Sequence, residues 1–397
     1  MRRALSLVGL WSVSLVEFVF PQQPVTRADA VAAALARGAR AAFGRADTAA
    51  AAAVLHGARL YPNPALAATY TKDVPHYHVI ADLSLDLPWL RSARIGAAAS
   101  ARDAARYGFA FERATIRFDV DTTYTRALAT LARARLSRRN AADADSLLKM
   151  AQLRREVGDV SDLDVRLAAV NAGQLENGAA DDSLAAVEAL LAVQLAMALP
   201  GEQPTITLAD SLAPPSDSVP SLGAEPLPVA AAAASLRSEQ RALTLAHRSA
   251  FAAPSLQVGV ENGDPTQGGA LPTIGLSLPL PLFNWNGGEV ARATAARDRA
   301  QANLEFLQRE TAAALARAQR EFAVAMARVQ RDRRLLASAD RVAAMSLQAY
   351  AEGAVALPNV LEAQRNAREA LGRYVDDVAA ASNAAAAVRL LTASDQP

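Results

Sequence analysis

The chain contains no cysteine, which excludes disulfides, thiolate metal sites, a cysteine nucleophile and lipid attachment to a thiol. Lysine is nearly absent, with only Lys72 and Lys149, and 41 basic residues against 40 acidic ones leave a net charge of +1. That balance provides no positive field for gathering nucleic acid. Aromatic residues make up 5% of a chain that is 52% hydrophobic, so the composition does not describe a globular core of large side chains. No segment offers 18 uncharged apolar residues. The best stretch, Ser183 to Leu199, contains Glu188 and Gln194, and no membrane-spanning helix is predicted. A paired-histidine helix motif, a nucleophile elbow and a phosphate-binding glycine loop are all missing. Neither an enzyme nor a cofactor is expected. His76 and His78 share a face, but two imidazoles without a third ligand make a poor metal site, and loop exposure is the better reading. The five methionines are scattered and form no soft-metal relay.

Alanine carries the apolar excess. Long stretches of Ala, Leu, Arg, Glu and Gln favour helix, and small side chains let neighbouring helices approach closely. The chain is also written twice. Ala101-Arg102-Asp103 returns as Ala296-Arg297-Asp298, and Val157-Gly158-Asp159-Val160 is restated by Glu352-Gly353-Ala354-Val355, both at an offset of 195 residues. A period that long means a duplicated half-protein rather than a short-repeat solenoid. The first repeat is read as 24–199 and the second as 229–392. Between them, 200–228 is rich in Pro, Ser and Asp and is read as a linker outside the helices. The N-terminus, 1–23, looks like a secretory signal, with Arg2-Arg3 before an apolar run from Ala4 to Val16 interrupted by Glu17. The tail at 393–397 is expected to be disordered.

Each half runs short helix, two strands, very long helix, tip and return helix. Arg27 to Arg59 reads as helix and is stopped by Tyr61-Pro62-Asn63-Pro64. Strands are expected within about 64–87 and 254–282, where Val79, Ala81, Leu83, Leu85 and Leu87 alternate with more polar neighbours and Leu256, Val258 and Val260 alternate with Gln257, Gly259 and Glu261. These segments have the length that crosses a bilayer at a tilt. Four strands cannot close a barrel, so three chains supplying 12 are expected. On that reading the leucine face meets lipid, while Asp82, Ser84, Asp86, Gln257, Glu261 and Ser277 face a wet lumen. The competing reading of the alternation is a soluble sheet edge packed on helices, because alternation shows only that one face is dry. Helices of roughly 65 residues follow each hairpin, Ser92 to Glu156 and Gly287 to Glu352, each close to 100 Å at about 1.5 Å per residue. A seam of Leu304, Leu307, Thr311, Ala314, Ala318, Phe322, Ala325 and Val329 marks the second as coiled coil. Breaks are expected near Leu136 to Asp143 and near Ser338 to Asp340. The tips fall at about 157–161 and 352–357, and return helices run from Ser161 to Leu199 and Pro358 to Thr392. The fold class is thus mainly α with a small membrane β-barrel, built from long helical hairpins and an internal duplication.

In this order and spacing the residues resemble the TolC family of outer-membrane efflux proteins over essentially the whole mature length. Tyr61-Pro62-Asn63-Pro64-Ala65-Leu66 opens the first strand in the family's manner. Gly275 through Leu280-Pro281-Leu282-Phe283, with Gly287-Gly288, closes the second hairpin. Tyr350 through Gly353 to Val360-Leu361-Glu362-Ala363-Gln364 is similar to the family's tip signature, restated as Val157-Gly158 to Asp164-Val165. The resemblance implies a homotrimer in the outer membrane that extends into the periplasm, with a periplasmic adaptor protein and an inner-membrane pump as partners. The wording of the second hairpin is most similar to the outer-membrane channels of heavy-metal efflux systems of the resistance-nodulation-division class. The implied function is a passive exit duct for small solutes, with divalent heavy-metal cations as one cargo class. The alternatives are a channel for drugs or secreted polypeptides and, from another class, a soluble periplasmic coiled-coil scaffold.

The resemblance also implies roles for residues at the tips. Val157, Gly158, Asp159, Gly353, Ala354 and Val355 would touch the adaptor. A periplasmic aperture would involve Asp164, Tyr350, Val355, Asn359 and Glu362, with threefold symmetry making Glu362 a ring of carboxylates that gathers cations. Val355 stands where some members carry an arginine, and Asn359 removes a charge, so a family-type ionic lock is not expected.

Overall fold

The computed structural model describes residues 23–216, 225–250 and 253–394. The signal reading of 1–23 therefore falls, except for Gln23, outside the described residues, as do 217–224 of the linker and 395–397 of the tail. The elements run β1 (Gln23–Val25), α1 (Arg27–Arg37), α2 (Ala39–Arg59), β2 (Ala65–Tyr70), β3 (Tyr77–Ser84), α3 (Pro88–Glu156), α4 (Asp162–Ala196), β4 (Ile206–Leu208), α5 (Leu227–Arg248), β5 (Ser255–Asn262), β6 (Leu271–Ser277), α6 (Gly287–Ala351) and α7 (Leu357–Thr392).

The long helices are smoother than expected, and α3 starts at Pro88 rather than Ser92. α3 has 69 residues and α6 has 65, and neither breaks at Leu136 to Asp143 or at Ser338 to Asp340. Those segments contain no proline or glycine, so nothing removes a backbone donor or relaxes φ, and the i to i−4 ladder continues. The first helix does break, at Gly38, whose ψ of 140° ends α1 and starts α2. A Cβ there would lie 2.3 Å from the Ala34 carbonyl oxygen, so only glycine fits this corner.

β2 and β3 form one hairpin, β5 and β6 another, and an antiparallel β3–β5 pairing joins them into a single sheet of order β2-β3-β5-β6. The register carries each alternation across all four strands. Leu66, Ala81, Val258 and Ile274 lie in one row, and Leu83, Leu256 and Leu276 in the next row on that face. The rows between contain Asp82 opposite Gln257, His78 opposite Glu261, and Ser84, Ser255 and Ser277 together. One face is therefore apolar and the other polar.

A second, two-stranded sheet pairs β1 with β4 in parallel, Gln23 opposite Ile206. Part of the expected linker is thus ordered against the helices. Ile206 and Val25 are buried beside Ala30, Val120, Tyr124 and Val193, and the buried Tyr124 hydroxyl donates to the Val25 carbonyl at 2.8 Å. Arg27 stacks over the Tyr124 ring.

The helices form a layer. Towards the sheet the packing order is α2, α3, α5, α6; towards the tips it is α4, α3, α7, α6. Alanine dominates the buried residues, for example Ala110 and Ala114 on α3 and Ala381, Ala384, Ala385 and Ala386 on α7, which lets helix axes approach closely. Of the seam expected on α6, Thr311, Ala318, Phe322, Ala325 and Val329 are buried, and Leu315 takes the place of Ala314.

Burial, and then the Asp210 carboxylate, raise the Tyr124 phenol from 10.0 to about 12. The unfolded chain therefore ionises first, and the phenol's contribution is complete below pH 10 and disappears as pH rises towards 12. Tyr124→Phe is expected to lower stability by about 1 kcal/mol at neutral pH. In thermal melts, the gap between wild type and variant narrows as pH climbs through that window.

Candidate functional site

The two tips are built alike. At the end of α3, the Gly158 N–H donates to Arg155 O at 2.9 Å and the Asp159 N–H to Arg154 O at 2.8 Å. At the end of α6, Gly353 donates to Tyr350 O at 3.0 Å and Ala354 to Ala349 O at 2.8 Å. Both are Schellman closures, and each needs a left-handed residue, supplied by Gly158 at φ +83° and Gly353 at φ +79°. The repeat seen as an offset of 195 residues is thus a repeat of hydrogen bonds. Beyond the first tip, Ser161 and Asp164 form a capping box that starts α4; beyond the second, Pro358 in the first turn starts α7 without a side-chain cap.

The tips pack on one another. Leu147, Ala151 and Ala168 of the first hairpin and Tyr350, Leu357 and Val360 of the second form one buried cluster, with Val355 and Val165 against it. Arg154 ties the hairpins together. Its Nη1 donates to the Tyr350 carbonyl at 2.5 Å and its guanidinium lies 4.8 Å from the Tyr350 ring centre. It also lies 3.8 Å from the Asp159 carboxylate. Burial raises the Tyr350 phenol above its ordinary value, and its hydroxyl has no hydrogen-bond partner among the described residues.

The tip residues singled out from sequence therefore divide. Val157, Gly158, Asp159, Gly353 and Ala354 are exposed on the tip surface. Tyr350 is buried and Val355 half-buried in the inter-hairpin contact. The Asp164 carboxylate is engaged locally by the Ser161 hydroxyl and backbone N–H, at 2.8 and 3.1 Å. Asn359 and Glu362 are exposed, one turn apart on α7. Arg154 was not singled out from sequence; the only signal was the arginine pair Arg154-Arg155 shortly before the tip glycine.

On the sheet, Asp82 accepts from the Ser255 hydroxyl and Gln257 amide, both at 3.1 Å, stitching β3 to β5 across the two repeats. Glu261 lies 3.4 Å from His78 Nδ1. Ser84 and Ser277 share this polar face. Asp86 differs from the reading that grouped it with them. It lies past the end of β3, and its carboxylate is buried between Arg91 and Arg94 at 3.2 and 2.8 Å, fixing the sheet to the start of α3. The opposite face is bare: Leu66, Ile274 and Leu276 are 74%, 78% and 67% exposed. The apolar surface continues through Leu278, Leu280, Leu282 and Phe283, with Trp89 and Trp285 nearby in sequence to the helix starts. No helix among the described residues is long and apolar enough to cross a membrane, and no group of three His, Cys, Asp or Glu residues among them could hold a metal ion. His76 and His78 instead contact Thr71, at 3.1 Å each.

An alanine at either tip glycine must adopt the left-handed conformation, at a cost of about 1 kcal/mol. Gly158→Ala and Gly353→Ala are expected to leave the fold intact and to quicken tryptic cleavage after Arg155 and Arg154, read by mass spectrometry of a limited digest.

No protein-family model and no curated protein matches this chain. Solved structures do. The outer-membrane protein VceC of Vibrio cholerae aligns over 92% of this chain and 95% of its own, with a TM-score of 0.76 at 15% identity. The CmeC outer-membrane channel of Campylobacter jejuni aligns over 92% and 85%, with a TM-score of 0.78 at 16% identity. CusC, described for its folding and transmembrane channel formation, aligns over 92% and 91%, with a TM-score of 0.77 at 14% identity. These scores do not separate one channel from another. The chain has the fold these outer-membrane channels share.

Proposed function

We propose that this chain is one third of a trimeric outer-membrane duct that serves a tripartite efflux pump, a passive exit for small solutes driven by partners elsewhere. The observation that carries the reading is where the exposed apolar side chains lie. On the helices they cluster on those at the ends of the layer: Phe43 and Val54 on α2, Leu163, Val170, Leu184 and Leu195 on α4, and Phe306, Val324, Leu335, Val342 and Met345 on α6. Among the described residues, α5 and α7 expose no large hydrophobic side chain, and α3 exposes them only near its ends, at Trp89 and Leu153. The sheet ends in the same way, with β2 and β6 each lacking a partner on one side.

A layer with apolar ends of two different kinds joins head to tail, and closes into a ring where the rotation between copies returns to the start. β6 of one copy runs antiparallel to β2 of the next, so pairing continues without a change of direction, and three copies supply the 12 strands of a small barrel. α6 then lies against the next copy's α2 near the sheet and its α4 towards the tips. Charge agrees with this docking. α6 exposes Arg317, Arg320, Arg331 and Arg334, whereas α4 exposes Glu176, Asp181 and Glu188. The bare leucine face of the sheet faces lipid in such a ring, and the face of Asp82, Gln257 and Glu261 turns to the lumen. A soluble scaffold offers no cover for that leucine face. The exposed tip residues Val157, Gly158, Asp159, Gly353 and Ala354 are the surface we assign to a periplasmic adaptor, and the exposed Asn359 and Glu362 we assign to the aperture.

The absence of native cysteine permits a direct test. Val170 on α4 and Val342 on α6 each stand about ten residues above their tips, hence about 15 Å up. In the double variant Val170→Cys, Val342→Cys, a bismaleimide is expected to link chains into a covalent trimer on denaturing gels, from protein recovered in the outer-membrane fraction. Recovery of a water-soluble monomer without detergent, giving only monomeric bands, would overturn the duct.

A further inference from the structure

Just above the tip contact the two hairpins part, leaving a cavity of about 490 Å³ between α3 of the first repeat and α6 and α7 of the second. Much of its lining is apolar: Leu136, Leu147 and Met150 from α3, Leu347 from α6 and Leu371 from α7. Two polar groups one turn apart on α7 also line it, and both lack hydrogen-bond partners among the described residues. The Gln364 Oε1 is buried and receives no hydrogen bond. Arg368 is half-buried and has no hydrogen bond or ion pair with any described residue. Burial first, and then the charge of Arg365, lower its hold on its proton. Asp143 and Asp340 lie at the exposed rim with Arg139. Asp143 helps to stabilise the Arg368 charge from a distance without pairing with it.

A half-buried guanidinium with no protein acceptor, beside a buried amide oxygen with no donor, leaves two groups that a ligand entering the cavity can meet together. The volume suits a small organic molecule. We propose that this cavity binds an amphipathic organic acid. Its carboxylate pairs with Arg368, an N–H or O–H beside the carboxylate donates to Gln364 Oε1, and its apolar body lies on Leu136, Leu147 and Met150. Because the walls come from both repeats, such a ligand bridges the hairpins a few turns above their tips. The site does not depend on the duct reading, since one chain contains all of it.

Dansylglycine has the required parts, a carboxylate, an adjacent N–H and a naphthalene body, and dansylamide lacks the carboxylate. Each would be titrated by fluorescence into the full-length protein in lipid nanodiscs, with size-exclusion elution checking assembly. Expected are saturable binding of dansylglycine at one per chain and an affinity at least about tenfold weaker in Arg368→Gln, the scale of a lost charge-assisted pair. Ala344→Trp, which fills the cavity and leaves Arg368 in place, is expected to abolish binding. Equal binding of the two probes would overturn the proposal. So would unchanged dansylglycine binding in Ala344→Trp, which also decides the matter if Arg368→Gln fails to assemble.

Discussion

Everything in this molecule depends on edges that a single copy cannot satisfy. A four-stranded sheet with one wet face, one bare apolar face and two unpaired edge strands is unstable in water, and in a bilayer each unpaired backbone group costs several kcal/mol. The helices repeat the problem in another form, since α2, α4 and α6 present to solvent the leucines, valines and phenylalanines that α5 and α7 keep covered. The ring closure proposed above would meet both requirements at once. The order of packing makes this possible, because β2 follows α2 and β6 leads into α6, so strand edge and helix edge lie on the same side of the protomer.

Duplication supplies the second constraint. A helix of 65 or 69 residues cannot fold back on itself, so each needs a return helix and a tip that reverses the chain. Glycine in the left-handed region solves the reversal twice with the same pair of hydrogen bonds. The repeats then diverge where they meet. Arg154 has no counterpart in the second tip, where alanine stands at the matching position, and it spans the gap to Tyr350 instead. Identical tips would present like surfaces to each other; one arginine makes the contact directional. Midway along α7, Arg133 of α3 pairs with Asp376, a second link between the halves.

The architecture was legible in the chain because it is periodic. Alternation at Val79, Ala81 and Leu83 and at Leu256, Val258 and Val260 located the strands, and glycine located the tips. Errors arose where local composition was overruled. Polar clusters at Leu136 to Asp143 and Ser338 to Asp340 suggested breaks, but polarity on an exposed helix face does not interrupt a hydrogen-bond ladder. Pro, Ser and Asp between the repeats marked a linker outside the helices, and within it the short run Thr205-Ile206-Thr207-Leu208 contains β-branched residues enough to pair with Gln23–Val25. Asp86 continued the alternation by position but lies beyond the last strand residue, where two arginines capture it.

The sequence by itself determined the length of the helices, the positions of strands and tips, the twofold repeat and the segregation of polar from apolar residues along each strand, because each of these follows from the residue periodicity and from glycine and proline chemistry. Tertiary structure alone decided that the two hairpins join through β3 and β5, that α6 is an edge along its whole length, that Arg154 bridges the tips, and that Arg368 and Gln364 face a cavity without partners. These are relations between residues far apart in the chain, set by how helices and strands pack rather than by any local pattern.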